Sequence, residues 1–240
     1  MIDIHSHIIF NIDDGAASLD ESVTLCCQAA DNGFDAIVAT PHFTDYRNIE
    51  RFVWERDSKL DLIRERLLEE QIDITLYSGA ELYLSRGVFT AGDLDELTIN
   101  NSRYMLCEFP LGPFNVRSGL EMLSELTLRG YVPIVAHPER YFEIRRNREI
   151  IDQLIYKGVI FQVNADSLAG NLDDEAQDIA IELIHDGTAK FIASDAHDIY
   201  RRNMNFREKI SSFPSEITQS ETNNCFTKYP QAVINDKDIF

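Results

Sequence analysis

The sequence predicts an α/β protein folded as a distorted (βα)7 TIM-like barrel. Three observations carry that prediction. Seven short apolar runs recur along the chain, each followed by a loop, a helical pattern and usually a glycine. Short apolar strands that alternate with helices define βα units, and such units build a parallel sheet. Seven units in roughly 200 residues suit a closed barrel better than an open sheet with two edges, since the eight-unit version takes about 250. Finally, histidines and carboxylates stand directly after the apolar runs, where a parallel barrel gathers its strand ends into one rim.

The first run, Met1–Ile4, leads at once into His5 and His7. Side chains two apart on a strand point the same way. The H-x-H therefore aims two imidazoles at one point, and neutral imidazole is the commonest nitrogen ligand of transition metals. In Asp13-Asp14-Gly15, either aspartate can be a ligand and the other a turn residue, because D-G is a turn dipeptide. Ser18-Leu-Asp-Glu21 is a capping box that opens a helix to Asn32, stopped by Gly33. Ala36–Thr40 is a buried-strand pattern ending in Pro41-His42. Ile49 to Glu70 has helical spacing, with Trp54 and Leu60 as its inward residues. Ile74–Tyr77 leads to Glu81, and Tyr104–Cys107 ends in Glu108. A helix from about Arg117 to Arg129 precedes Val132–Ala136, which ends in His137. A helix from about Arg146 to Lys157 precedes Val159–Val163 and Asn164. Asp174–Asp186 precedes Ala189–Ala193, which ends in Ser194-Asp195-Ala196-His197. Ser211 to Asn224 is linker-like. Residues 211–240 are expected to pack on the barrel as a tail of one domain spanning 1–240.

At 240 residues, with 44% hydrophobic and 26% charged residues, the chain has the makings of a real core. Its net charge of -19 argues against a nucleic-acid partner, which needs a basic face. Divalent ions bound by carboxylates would offset part of that excess. Cys26, Cys27, Cys107 and Cys225 form neither a C-x-x-C site nor a disulfide framework, and suit a reducing compartment. No signal peptide and no bilayer-spanning run is visible. The expectation is a soluble, cytoplasmic protein without membrane insertion; a homo-oligomer is left open.

Five of the six histidines, His5, His7, His42, His137 and His197, fall at strand ends, together with Glu81, Glu108 and Asp195. His185 alone lies elsewhere, near a helix C-terminus. Histidines buried one by one in a core would not each follow an apolar run, so the pattern reads as a metal site. With Asp14 the candidate ligands number nine. That is too many for one ion, or for two that keep positions open for water and substrate. Three divalent ions fit, and imidazole with carboxylate but no thiolate suits Mn, Fe or Zn.

These motifs together resemble the polymerase and histidinol phosphatase (PHP) superfamily, and within it the bacterial manganese-dependent protein-tyrosine phosphatases of capsule and exopolysaccharide clusters. The carrying stretches are Asp3-Ile-His-Ser-His7, Ile12-Asp-Asp-Gly15, Thr40-Pro-His42, Gly79-Ala-Glu81, Glu108-Phe-Pro110, Ala136-His-Pro-Glu-Arg-Tyr141, Gln162-Val-Asn164 and Ala193-Ser-Asp-Ala-His197. Phe10-Asn11 stands where that family usually has Pro-Gly. The resemblance implies a PHP-fold barrel with three ions, most simply Mn. One would be held by His5, His7, Glu81 and Asp195. A second would share Glu81 and add Glu108 and His137, and a third would sit on Asp14, His42 and His197. Asp3 would orient a ligand rather than bind. Asp195 would serve catalysis as well as binding, and Arg140 and Arg202 would clamp the phosphate, with Arg201 an alternative to Arg202.

The implied reaction is hydrolysis of phosphotyrosine in protein by a metal-bridging hydroxide. The implied partner is a cognate bacterial tyrosine kinase. Histidinol-phosphate phosphatase is the enzyme alternative, and a non-catalytic, metal-stabilised regulatory module the other. Cysteine-based phosphatase chemistry is excluded, because the residues six beyond the cysteines are Asn32, Gly33, Pro113 and Gln231, never arginine. There is no G-x-S-x-G nucleophile elbow either.

Overall fold

Every paired strand runs parallel to its neighbour in the computed structural model, which describes residues 1–239. The strands are β1 (Ile2–Ser6), β2 (Ala36–Ala39), β3 (His42–Phe43), β4 (Thr75–Ser78), β5 (Glu81–Tyr83), β6 (Tyr104–Glu108), β7 (Val132–Ala136), β8 (Ile160–Asn164) and β9 (Ala189–Ala193). They form two sheets, ordered β1-β2-β4 and β3-β5-β6-β7-β8-β9. The seven expected strand positions are all present, and two of them are broken. After β2 the chain steps through Thr40-Pro41 and resumes as β3; after β4 it steps through Gly79-Ala80 and resumes as β5. Proline has no N–H to give a ladder, and a side chain at Gly79 would press on Thr40 Cγ2 and Val38 Cγ1 at 3.2 Å. These steps are the distortion. The ring closes where His7 N donates to Ala196 O at 2.8 Å and Asp195 N to His5 O at 2.9 Å.

Alternate strand residues enter different cores, as the pleat requires. Ile2, Ile4, Val38, Leu106, Ile134, Ile160 and Phe191 pack together inside the barrel. Their neighbours Met105, Cys107, Val135, Phe161 and Ile192 join the outer core with the helices. Each fully buried aliphatic side chain contributes about 1.5–3 kcal/mol. Val233 and Ile234, from the helix Tyr229–Ile234, enter the inner cluster. Tyr104 Oη donates to Lys237 O at 2.7 Å and Asn100 Nδ2 to Ile234 O at 3.0 Å. The C-terminal stretch thus lies against the starts of the strands, leaving their C-terminal ends open.

Helix α1 (Leu19–Asp31) starts at Ser18, whose side chain accepts from Glu21 N at 3.2 Å. The Glu21 carboxylate takes Ala17 N at 2.7 Å, one residue before the cap's own amide. In α2 (Ile49–Glu69) the buried stripe is Val53, Arg56, Leu60, Ile63 and Leu67. Leu60 faces inward as expected, but Trp54 is 72% exposed. It follows Val53 directly, and one residue turns a helix by about 100°, which carries Trp54 off the stripe. The helix expected from about Arg146 to Lys157 runs Glu149–Tyr156, and a separate short helix, Phe142–Arg146, precedes it across Asn147-Arg148. The linker-like stretch contains a capped turn of helix, Gln219–Asn223, with a complete Thr218/Glu221 capping box. No helix among the described residues is long and apolar enough to cross a membrane.

Candidate metal centre

All nine predicted ligands converge on the open rim. Their donor atoms fall into four overlapping groups, each within 4.8 Å: His5, His7 and Glu81; His7, Asp14, His42 and His197; His42, Glu81 and Glu108; and His5, His137 and Asp195. The first contains three of the four residues expected at one ion, and the second adds His7 to the three expected at another. In the others, Glu108 lies with His42, its Oε2 3.3 Å from Nδ1, and His137 lies with His5 and Asp195. Glu81 is the hub. Its Oε2 is 3.3 Å from His5 Nε2, 3.2 Å from His7 Nε2 and 3.0 Å from His42 Nδ1, and its Oε1 is 3.1 Å from His137 Nε2. Asp14 Oδ1, on the exposed edge, lies 3.5 Å from His42 Nε2 and 3.6 Å from His197 Nε2.

Backbone geometry is bent to this purpose. His137 has φ 35° and Asp195 φ 51°, left-handed values that cost a non-glycine residue on the order of 1–3 kcal/mol. Asn11 has φ 52°, a left-handed value that asparagine tolerates better than most non-glycine residues. Gly15 is required for space, because a Cβ there would lie 2.2 Å from His7 O.

The tautomers of His5 and His7 follow from their neighbours. Asp195 Oδ2 accepts from Asn164 Nδ2 at 2.7 Å, Asn164 Oδ1 accepts from Gln162 Nε2 at 2.9 Å, and Gln162 Oε1 accepts from His5 Nδ1 at 2.7 Å. This chain orients both amides and puts the His5 proton on Nδ1. Asp13 Oδ2 does the same for His7 Nδ1, also at 2.7 Å. The two Nε2 atoms then face each other as lone pairs, 3.1 Å apart, beside Glu81 Oε2 and Asp195 Oδ1. Four acceptors aimed at one point repel unless a cation lies among them. Glu81 Oε2 and His197 Nε2 are moreover buried without a hydrogen-bond partner. Buried polar atoms of that kind need a ligand, so the donor set fits divalent metal.

The acid–base balance of the site points the same way. Burial alone would depress the His5 and His7 pKa values, yet the surrounding carboxylates outweigh it and raise both, for His7 well above the ordinary value. Burial would raise the Glu81 and Asp195 carboxyls, but the imidazoles, and for Asp195 also Arg202, hold both well below the usual range. His42 goes up to about 10 against its own burial, through Glu108 and Glu81. His197 falls to about 2, by burial and the positive charge of His7 and Arg202. A pocket that demands this much positive charge takes it from protons or from metal.

Arg140 Nη1 and Arg202 Nη2 both reach Asp195 Oδ2, at 2.9 and 2.6 Å. Arg201 makes no such contact. Asp3 makes no hydrogen bond to a ligand side chain; it accepts from Ser194 N at 3.0 Å and Ser194 Oγ at 2.5 Å, and so fixes the turn that carries Asp195. His185 is exposed on its helix, with Nδ1 3.8 Å from Glu221. Sequence reasoning assigned no role to Gln162 and Asn164, although a Q-x-N on one strand was a readable signal for two polar groups on one face. The Tyr141 hydroxyl, which accepts from Phe109 N at 3.0 Å next to Glu108, carried no such signal.

A parallel α/β barrel with clustered imidazoles and carboxylates on its C-terminal rim defines the class of TIM-barrel-like metal-binding proteins. Within that class, residues 1–235 match the family model for capsular polysaccharide synthesis, CpsB/CapC, and the chain belongs to that family. It is 32% identical to the tyrosine-protein phosphatase YwqE of Bacillus subtilis over all of this chain and 94% of that one. To the tyrosine-protein phosphatase CpsB of Streptococcus pneumoniae it is 28% identical over the full length of both. A solved structure from the work on YwqE and CpsB, described as unique metal-dependent tyrosine phosphatases, superposes with a TM-score of 0.88 at 30% identity, covering 100% of this chain and 96% of that one. The phosphotriesterase homology protein of Escherichia coli, at 12% identity and a TM-score of 0.57 over 97% of this chain and 98% of that one, shares the fold alone.

Proposed function

We propose that this chain is a metal-dependent protein-tyrosine phosphatase of capsule or exopolysaccharide synthesis, holding three divalent ions, most simply Mn. The observation that carries the reading is the convergence of His5 Nε2, His7 Nε2, Glu81 Oε2 and Asp195 Oδ1 as facing acceptors, with two guanidiniums on the far oxygen of Asp195. His5, His7, Glu81, Asp195, Glu108, His137, Asp14, His42 and His197 would hold the ions. Bound there, divalent ions supply an activated water as nucleophile and positive charge across the phosphoryl oxygens.

The protein's own groups do the rest. Gln162 and Asp13 keep the His5 and His7 lone pairs pointing inward. Arg140 and Arg202 present planar donors beside Asp195, suited to a phosphoryl group. A phenol leaves readily, its pKa being roughly 10, so a strong general acid is less needed than for an alkyl ester. Burial pushes the Cys26, Cys27, Cys107 and Cys225 thiols up, which weakens all four as nucleophiles. The protein substrate in this reading is a cognate bacterial tyrosine kinase, dephosphorylated in the cytoplasm.

The test is turnover of phosphotyrosine peptides and histidinol phosphate, with added Mn and after chelation. Metal-dependent turnover favouring the peptides is the expected result. A preference for histidinol phosphate, or full activity of metal-free protein, overturns the reading.

A further inference from the structure

Beside Asp195 lies a cavity of about 440 Å³ whose walls include Arg140, Arg202, Arg201, Asp166 and Leu172. Two of its three guanidiniums are engaged with Asp195 Oδ2. The third is not. Among the described residues, the only hydrogen bond from Arg201 is that of its backbone N to Asp198 Oδ1, at 2.7 Å. The acid in the wall, Asp166, is already satisfied, by Lys209 Nζ at 2.9 Å and Asn171 Nδ2 at 2.9 Å. Arg140, Arg201, Arg202 and the buried Lys209 thus outnumber Asp166 and Asp195, in a chain whose net charge is -19.

The segment that presents Arg201 is well tied. The Asp198 carboxylate accepts from the backbone N of Tyr200, Arg201 and Arg202, and His197 N donates to Arg202 O at 2.7 Å. Lys209 Nζ donates to Asn203 O at 2.8 Å while it pairs with Asp166, which fixes the loop against the far wall of the cavity. A cationic mouth on an acidic protein steers negative groups to one place and repels them elsewhere.

We infer that this cavity is a subsite for a second negative group on the phosphoprotein, within a residue or two of the phosphotyrosine, and that Arg201 reads it. The inference rests on the phosphotyrosine reading above. Arg201 and Arg202 are adjacent, with Cα atoms about 3.8 Å apart, so the groups they meet are spaced as near neighbours on a peptide. A carboxylate and a further phosphate share the required chemistry.

The experiment measures kcat/KM of the metal-loaded enzyme on one phosphotyrosine peptide whose flanking residue is alanine, glutamate, phosphoserine or lysine. Glutamate or phosphoserine should be preferred over alanine about three- to fivefold, the scale of a partly exposed ion pair, and the preference should shrink with added salt. The two acidic arms show which group is favoured. Arg201→Ala should erase the preference, and Arg201→Glu should turn it toward lysine. A wild-type enzyme indifferent to the flank, or an Arg201→Ala variant that keeps the preference, overturns the subsite and leaves the phosphatase reading standing. Failure on every peptide sinks both.

Discussion

The Asp13 carboxylate accepts from His7 Nδ1 at 2.7 Å, and this bond divides the work within the Asp13-Asp14 pair. Asp13 also takes His42 N at 2.9 Å and Gly15 N at 2.9 Å, bonds that outweigh its burial and hold its carboxyl down at about 2. Asp14, one residue on, turns outward to His42 and His197. One aspartate orients a ligand; its neighbour offers itself as one.

Asp13→Asn should therefore weaken metal binding without abolishing it. Loss of the partner that fixes a ligating imidazole costs about 10–100-fold in affinity or activity. Titrating activity against added Mn should show a rightward shift for Asp13→Asn, with kcat largely recovered at saturation. Asp14→Asn should keep a low kcat at every metal concentration. Equal behaviour of the two variants would remove the distinction.

Gly15→Ala tests the space behind the same turn. A methyl group there meets His7 O at 2.2 Å and His7 Cβ at 2.6 Å, so backbone must move. Overpacking of this kind costs about 1–3 kcal/mol, and the displaced atoms belong to His7. Thermal denaturation should show a lower Tm, and metal titration a weaker site. An unchanged Tm would mean that the loop has room after all.

Tyr141→Phe removes the acceptor of Phe109 N while leaving the ring edge-on to Phe109 and Phe114. An orphaned buried N–H costs about 1–3 kcal/mol. Because Phe109 follows Glu108, the expected signature is a fall in chemical-denaturation midpoint together with reduced metal affinity. A stability loss with unaltered metal binding would confine Tyr141 to a structural role.

Much of this arrangement was legible because barrel strands impose a simple code. A buried strand needs an unbroken apolar run, and the rim begins where the run ends, so His42, Glu81, Glu108 and His137 could be placed from spacing alone. What the run cannot encode is where the ring breaks. The steps at Pro41 and Gly79 that create β3 and β5 depend on packing between strands far apart in sequence. The inward bias assigned to Trp54 failed for a related reason, since a bulky apolar residue one position off a stripe looks the same in composition as one on it. Hydrogen bonds that fix tautomers, such as Gln162 to His5, join residues 157 apart, and only the folded chain brings them together.

Asp3 gives the pH dependence. It is fully buried, and burial lifts its carboxyl to about 6 despite the two bonds from Ser194. The folded state therefore holds a proton over a range in which the unfolded chain, with an ordinary carboxyl of 3.8, has released it. Its contribution to stability is fully present below pH 3.8 and is lost as pH rises through about 6. A shift of this size corresponds to about 3 kcal/mol. Asp3→Asn abolishes the titration while keeping a carbonyl oxygen for Ser194 N, and Ser194 Oγ retains His5 O, 3.1 Å away, as an acceptor. Urea unfolding of both proteins in chelator, from pH 4 to pH 7, should show the variant gaining on the wild type as pH rises, by up to about 3 kcal/mol. Groups common to both chains cancel in that difference, so the slope belongs to residue 3. A difference that stays flat across the range would mean that Asp3 is charged throughout, held so by a stronger field than Ser194 and His5 provide.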